Sequence, residues 1–214
     1  MSAREAVLRR VRVALAASGT TSDDVPRTYR HEGSAASGSP DAVALLADRL
    51  VDYRATVVRC APDAVAGVVA DQLADAGSVV VPPGLPEGWA AALAATGVLV
   101  RVDDRDAPLT HAALDATGAV LTACRVAIAE TGTIVLDAGP DQGRRALTLL
   151  PDRHVCVVRA DQVVGSVPQA VALLAEHPER PLTWISGPSA TSDIELVRVE
   201  GVHGPRDLRV VLVG

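Results

Sequence analysis

Two stretches of this chain place reactive side chains beside glycine turns. In the first, the apolar runs Val126 to Ala129 and Thr133 to Leu136 are separated by Glu130-Thr131-Gly132. A partly buried carboxylate at such a strand end can act as acid, base or nucleophile. It can equally satisfy backbone N–H groups of the turn or pair with an arginine such as Arg125, and the residues leave both roles open. The second stretch begins with the short run Leu182 to Ile185 and continues through Ser186-Gly187-Pro188-Ser189, Thr191-Ser192-Asp193-Ile194-Glu195 and Gly201-Val202-His203-Gly204-Pro205-Arg206. Gly187-Pro188 ends the run, because proline has no N–H to donate and glycine permits a sharp turn. Ser192 and Glu195 are spaced as a capping box, and free N–H groups at such a helix start favour an anion.

These stretches define the candidate site. Glu130 is the candidate catalytic group. Thr131, Gly132, Thr133, Ser186, Gly187, Pro188, Ser189, Asp193, Glu195, His203, Gly204 and Arg206 are candidates for binding an anionic small molecule. Parallel sheets gather strand-end loops at one edge, so the stretches are expected to converge in one cleft. The plainer alternative is two ordinary turns and a helix cap. Ser189, Asp193 and His203 have the residue types of a hydrolytic triad, but no Gly-x-Ser-x-Gly is present. His154 and Cys156, two apart on one strand, would share a face as metal ligands do; without a third ligand nearby, they read as buried packing. Asp137, Asp141, Arg144 and Arg145 cluster around Gly139-Pro140 and Gly143, as a pocket rim or as a solvated loop.

Composition narrows the chemistry. All 20 basic residues are arginine, which excludes Schiff-base and P-loop lysines. Cys60, Cys124 and Cys156 form no Cys-x-x-Cys, and no Gly-x-Gly-x-x-G occurs, so no metal and no cofactor is expected. The net charge of −6 argues against nucleic acid or an anionic membrane as partner. Arginines interrupt the N-terminal apolar positions, so a signal peptide is not expected, and a cytoplasmic location is. With no Phe among 214 residues, the core must come from Val, Leu, Ile and Ala. The oligomeric state is open.

The elements that would position these residues follow from periodicity. Ser2 to Ala17 reads as a capped amphipathic helix, and Ser18 to Pro40 as a polar arm. Residues 1–40 are therefore expected as an appendage and 41–214 as the domain. Ser39-Pro40 starts a helix with Val43, Leu46 and Leu50 inward. Strands are expected at 55–58, 79–81, 98–102, 154–158, 182–185 and 208–213, with helices at 62–76, 86–95, 108–116, 142–150 and from Ser166 to about Glu176. This alternation indicates an α/β fold, a mainly parallel sheet flanked by helices.

Ser186 to Pro205 resembles the C-terminal signature of the LUD-domain family, and within it the lactate utilisation protein C group. Ala127-Ile128-Ala129-Glu130-Thr131-Gly132-Thr133-Ile134-Val135-Leu136 matches a second family motif, in the family's order. The family often has Thr-Ala-Asp where this chain has Thr191-Ser192-Asp193. The resemblance covers roughly Ala42 to the end. It implies the NagB/RpiA/CoA transferase-like fold, shared with ribose-5-phosphate isomerase and formyltetrahydrofolate cyclo-ligase, whose sites hold anions in Gly/Ser/Thr loops. It also implies an auxiliary, non-iron–sulfur component working with two iron–sulfur partner proteins that oxidise L-lactate to pyruvate. The rival readings are a stand-alone enzyme acting on a CoA thioester, phosphosugar or folate, and a metabolite-sensing module.

Overall fold

The computed structural model describes residues 2–17, 27–191, 199–200 and 204–214. Contacts divide the chain into two units, Met1–Arg30 and His31–Gly214. The first contains α1 (Ala3–Ala17), whose start is a reciprocal cap: Ser2 N donates to Glu5 Oε2 and Glu5 N to Ser2 Oγ.

The second unit is built on a six-stranded sheet in which every pairing is parallel. Its strands are β1 (Thr56–Cys60), β2 (Ser78–Val81), β3 (Leu99–Val102), β4 (Ala119–Thr122), β7 (Arg153–Arg159) and β12 (Asp207–Val213), in the order β1-β12-β7-β4-β2-β3. The central strands bury both faces, so β4 and β7 read as near-continuous apolar runs instead of alternating. A second sheet is mixed. It has β5 (Val126–Ile128), β6 (Thr133–Leu136), β8 (Val163–Val164) and β9 (Thr183–Ile185), ordered β8-β5-β6-β9. The short strands β10 (Ala190–Thr191) and β11 (Val199–Glu200) pair antiparallel.

Helices fill the spaces between these layers. α2 (Pro40–Asp52) begins at Ser39, whose hydroxyl accepts from Ala42 N at 3.2 Å. Its Ala42, Leu46 and Leu50 join a core with Cys156, Val158, Leu208, Val210 and Leu212 of the parallel sheet and Ala127, Ile134 and Leu136 of the mixed one. α3 (Val65–Leu73) and α4 (Glu87–Ala95) cover the opposite face through Val69, Leu73 and Leu93. α5 (His111–Asp115) packs near Val80 and Val120, and α6 (Val167–Leu174) covers the outside of the mixed sheet with Ala170 and Leu174.

The segment just before α2 also packs on this unit. Gly38 N donates to Val163 O at 2.8 Å, and Ser166 Oγ donates to His31 O at 2.9 Å. Gly33 lies so close to Gly165 that a Cβ there would stand 2.5 Å from its carbonyl carbon.

Two sequence expectations change. The helix expected over 142–150 is only a single 3-10 turn, Arg145–Thr148, because Gly143 takes φ +71° and Arg144 is extended. No strand was expected at 119–122, where β4 pairs with both β2 and β7.

Candidate functional site

In parallel sheets the usual ligand crevice lies at the carboxyl ends of the strands. Here the chain's own 137–143 turn occupies much of that edge. Gly84 N, just after β2, donates to Pro140 O at 3.0 Å, and Ala123 N, just after β4, donates to Asp141 O at 3.0 Å. Only glycine fits at 84, since a Cβ would lie 2.5 Å from the Pro140 carbonyl carbon. A cleft of about 670 Å³ remains beside this turn. Its arginines are engaged: Arg144 grips Asp103 with two hydrogen bonds, Arg180 binds Asp137, and Arg105 donates to Ala138 O.

Of the residues singled out in the sequence, Ser186, Gly187 and Ser189 line a pocket beside the amino ends of β7 and β12, whereas Thr131, Gly132, Thr133, Pro188 and Gly204 are not among its lining residues. The antiparallel β6–β9 pair brings the start of β6 to the end of β9, with Ile134 opposite Ile185. Thr133 Oγ1 lies 2.8 Å from Ser186 Oγ and 2.8 Å from Thr131 Oγ1, forming a three-hydroxyl chain. Two glycines let these loops approach the last turn of α2. A Cβ on Gly132 would stand 2.7 Å from Arg49 Cβ, and one on Gly187 2.6 Å from Tyr53 Cβ. Both have positive φ, +60° and +89°, which glycine adopts without strain. Ser189 N donates to Pro205 O at 2.8 Å, tying the loop after β9 to the loop before β12.

Together these loops and the sheet line a half-open pocket of about 160 Å³. Its lining includes Ser186, Gly187, Ser189 and Pro205 with Thr148, Leu149, Thr183, Trp184, Ile185, His154 and Leu208. Glu130 and Arg206 are not lining residues. Ser34 N donates to Glu130 Oε1 at 3.0 Å, and Glu130 N donates to Gly165 O, so this residue ties the 31–36 segment to the β5–β6 turn. Arg206 donates two hydrogen bonds to Asp152, at 2.6 and 2.8 Å. A Cβ on Gly204 would lie 3.8 Å from Ser189 Cβ and 3.9 Å from Leu149 Cδ2. Asp193, Glu195 and His203 lie outside the described residues, as does the Ser192 cap.

His154 is the lining residue that the sequence reading assigned to buried packing. It is 1% exposed, and its Nε2 is 2.8 Å from Thr122 Oγ1. Its Nδ1 is buried with no hydrogen-bond partner among the described residues. Buried polar atoms are paired in the great majority of cases. A histidine inside an otherwise apolar strand raises the question of two partners, and that signal was available in His154-Val155-Cys156. Cys124 and Cys156 are both buried thiols; hydrogen bonding with Cys156, then burial, raises the Cys124 pKa well above its ordinary value.

The Asp152–Arg206 pair gives a pH signature. The Arg206 hydrogen bond holds the Asp152 carboxyl below its ordinary range. A carboxyl depressed on folding adds stability above its unfolded pKa and loses it as pH falls through the folded value. Both side chains are more than half exposed, so the contribution is about 0.5 kcal/mol. Denaturant titrations of the parent chain and Asp152→Asn are expected to differ by that amount at neutral pH. The gap should close in acid below the ordinary carboxylate range; a gap that grows there would contradict the pairing.

Known proteins agree with this architecture. Residues 55–213 match the LUD domain family. A Deinococcus radiodurans protein named lactate utilization protein C is 53% identical over 169 residues, 78% of this chain and 77% of that one. The Bacillus subtilis protein of the same name is 33% identical over 99 residues, 44% of this chain and 41% of its own length. A crystal structure of a DUF162 family protein from Deinococcus radiodurans superimposes with a TM-score of 0.70 at 45% identity, covering 81% of this chain and 97% of that one. The fold and these matches define an α/β protein with one parallel and one mixed sheet. The chain belongs to the LUD domain family.

Proposed function

We propose that this protein is an auxiliary, cluster-free component of bacterial L-lactate utilisation that acts beside iron–sulfur proteins. The observation that carries this reading is the 53% identity to a relative named lactate utilization protein C over 77% of that relative's length. The chain's chemistry supports the auxiliary role. Oxidising a 2-hydroxy acid removes two electrons and needs an acceptor such as a flavin, a nicotinamide or a metal cluster. The three cysteines are far apart in sequence, and two of them are buried core residues, so the thiolate set of an iron–sulfur cluster is not available. Among the described residues, no helix is long and apolar enough to cross a membrane.

The test has two parts. The purified chain, assayed with L-lactate and an artificial electron acceptor, is expected to give no dye reduction above a blank; steady turnover would overturn the auxiliary role. The tagged full-length chain is expected to retain iron–sulfur proteins from lactate-grown cells of its source, detected by iron and acid-labile sulfide. Capture of no iron–sulfur protein would overturn the partnership.

A further inference from the structure

We propose that the cleft at the carboxyl ends of β2 and β3 binds an amino acid as its zwitterion. Arg144 and Arg180 hold the carboxylate, and the exposed carboxylates of Asp104, Asp106 and Glu179 receive the ammonium group. This site is separate from the pocket beside β7 and β12 and does not depend on the proposed function.

Topology opens the crevice. Val79 and Val81 of β2 face one side of the parallel sheet and Val80 the other, following the two-residue period of a strand. After β2 the chain runs to α4, whose Leu93 packs in one cluster with Val79 and Val81. After β3 it runs to α5, whose Leu114 packs with Val80 and Val120. Loops that follow adjacent strands thus leave on opposite faces, and such a parting at the carboxyl ends is where α/β sheets hold ligands. Pro83 after β2 and residues 103–106 after β3 line the cleft, together with the 138–144 turn and the segment 179–181 before β9.

Donors left over on two arginines are the chemical signal. Asp103 accepts from Nε and Nη2 of Arg144, and Nη2 also donates to Leu109 O. Asp137 Oδ2, in a side chain 3% exposed, accepts one hydrogen of Arg180 Nη1 at 2.9 Å. Among the described residues, Nη1 of Arg144 and both Nε and Nη2 of Arg180 have no partner. The two side chains are 29% and 33% exposed, so a ligand in the cleft has access to them. A planar guanidinium fixed along one edge is preorganised to receive a carboxylate on another. The turn beside them is strained: Ala138, a non-glycine residue, holds φ +55° while its carbonyl accepts from Arg105. Strain of this kind clusters at ligand sites.

Charge defines the rest of the ligand. Asp104, Asp106 and Glu179 also line the cleft and are exposed. Asp104 Oδ1 accepts from Asp106 N at 2.9 Å, and Glu179 Oε1 lies 3.6 Å from His177 Nδ1. The Asp106 carboxylate has no partner among the described residues. With the buried Asp103 and Asp137, five carboxylates stand beside the guanidiniums of Arg105, Arg144 and Arg180. A purely anionic ligand adds to that negative excess, and a simple cation meets the arginines. A zwitterion satisfies both signs. In so open a cleft, affinity should be modest, on the order of 1 mM.

The full-length chain would be screened by saturation-transfer NMR against the common L-amino acids. The tightest would then be titrated beside its 2-hydroxy acid and its decarboxylated amine, following the arginine side-chain signals of 15N-labelled protein. The amino acid is expected to bind about tenfold tighter than either analogue, the effect of losing one charge-assisted contact. The Arg144 and Arg180 signals should move most. Arg180→Lys keeps a cation for Asp137 but loses the planar fork, and should weaken the amino acid about tenfold without changing the amine. Asp106→Asn/Glu179→Gln, at two exposed positions, should leave the melting temperature nearly unchanged and remove the preference over the hydroxy acid. Binding of no amino acid would overturn the proposal. A hydroxy acid or an amine that binds as tightly as the amino acid would overturn the zwitterion. Arginine signals unmoved in the parent chain would overturn the site without recourse to any variant.

Discussion

Asp103→Ala is expected to lower the unfolding free energy by about 4 kcal/mol, the effect of breaking a buried ion pair from one side. Asp103 follows β3, and its side chain is 1% exposed. It accepts from Arg144 Nε at 2.8 Å, Arg144 NH2 at 2.9 Å and Leu109 N at 2.8 Å. Alanine removes all three hydrogen bonds at once. It leaves a guanidinium only 29% exposed and a backbone N–H without its partner. For a chain of this length, about 4 kcal/mol corresponds to a melting temperature lower by about 10 °C. Calorimetry of the variant tests this, and a fall below about 3 °C would show that the pair is not holding the loop. Asp103→Ala/Arg144→Ala should recover part of the loss, because no unpaired charge remains. The expected site of damage is the turn at the carboxyl ends of β2 and β4, since Arg144 directly follows it.

The same substitution, glycine to alanine, is expected to have opposite signs at two positions. At Gly132 the φ of +60° disfavours any Cβ, and the added atom would meet Arg49 Cβ at 2.7 Å and its carbonyl carbon at 3.2 Å. Left-handed strain of about 1 kcal/mol adds to overpacking of about 1–3 kcal/mol, so a loss of about 3 kcal/mol is expected. At Gly67, on the exposed side of α3, nothing lies within 4 Å of the added atom. Alanine there should stabilise by about 0.8 kcal/mol through helix propensity. Urea titrations of both variants read the two effects on one scale. Gly132→Ala should also shift Thr133 away from Ser186. A Gly132→Ala variant as stable as the parent would mean that α2 and the β5–β6 turn do not meet as described.

How much of this was legible beforehand depended on whether the cause was local. Ser39-Pro40 announced the start of α2, and Ser166 with Gln169 that of α6, because caps are decided within four residues. The alternation of apolar runs with helical stripes gave the α/β class and the parallel sheet. It did not give a second sheet, since β5, β6, β8 and β9 are each at most four residues long and pair across as many as 51 positions. Nor did it give β4, a buried central strand whose apolar run carries no period.

The sequence by itself determined the chemical inventory: a lysine-free chain, no cluster-binding motif, and hydroxyls and glycines in two loops. It also determined where turns had to be, because Gly132 and Gly187 sit in conformations that other residues enter only with strain. Tertiary structure alone decided which of those residues meet. Thr133 reaches Ser186 through an antiparallel pairing 53 residues apart, while Glu130 turns to Ser34 and Arg206 to Asp152. It also decided that a pocket forms at the amino ends of β7 and β12, because Ser189 there ties the loop after β9 to Pro205 before β12. His154 became notable for the same reason. Its type and strand were readable, but whether its second nitrogen has a partner depends on what the fold packs against it.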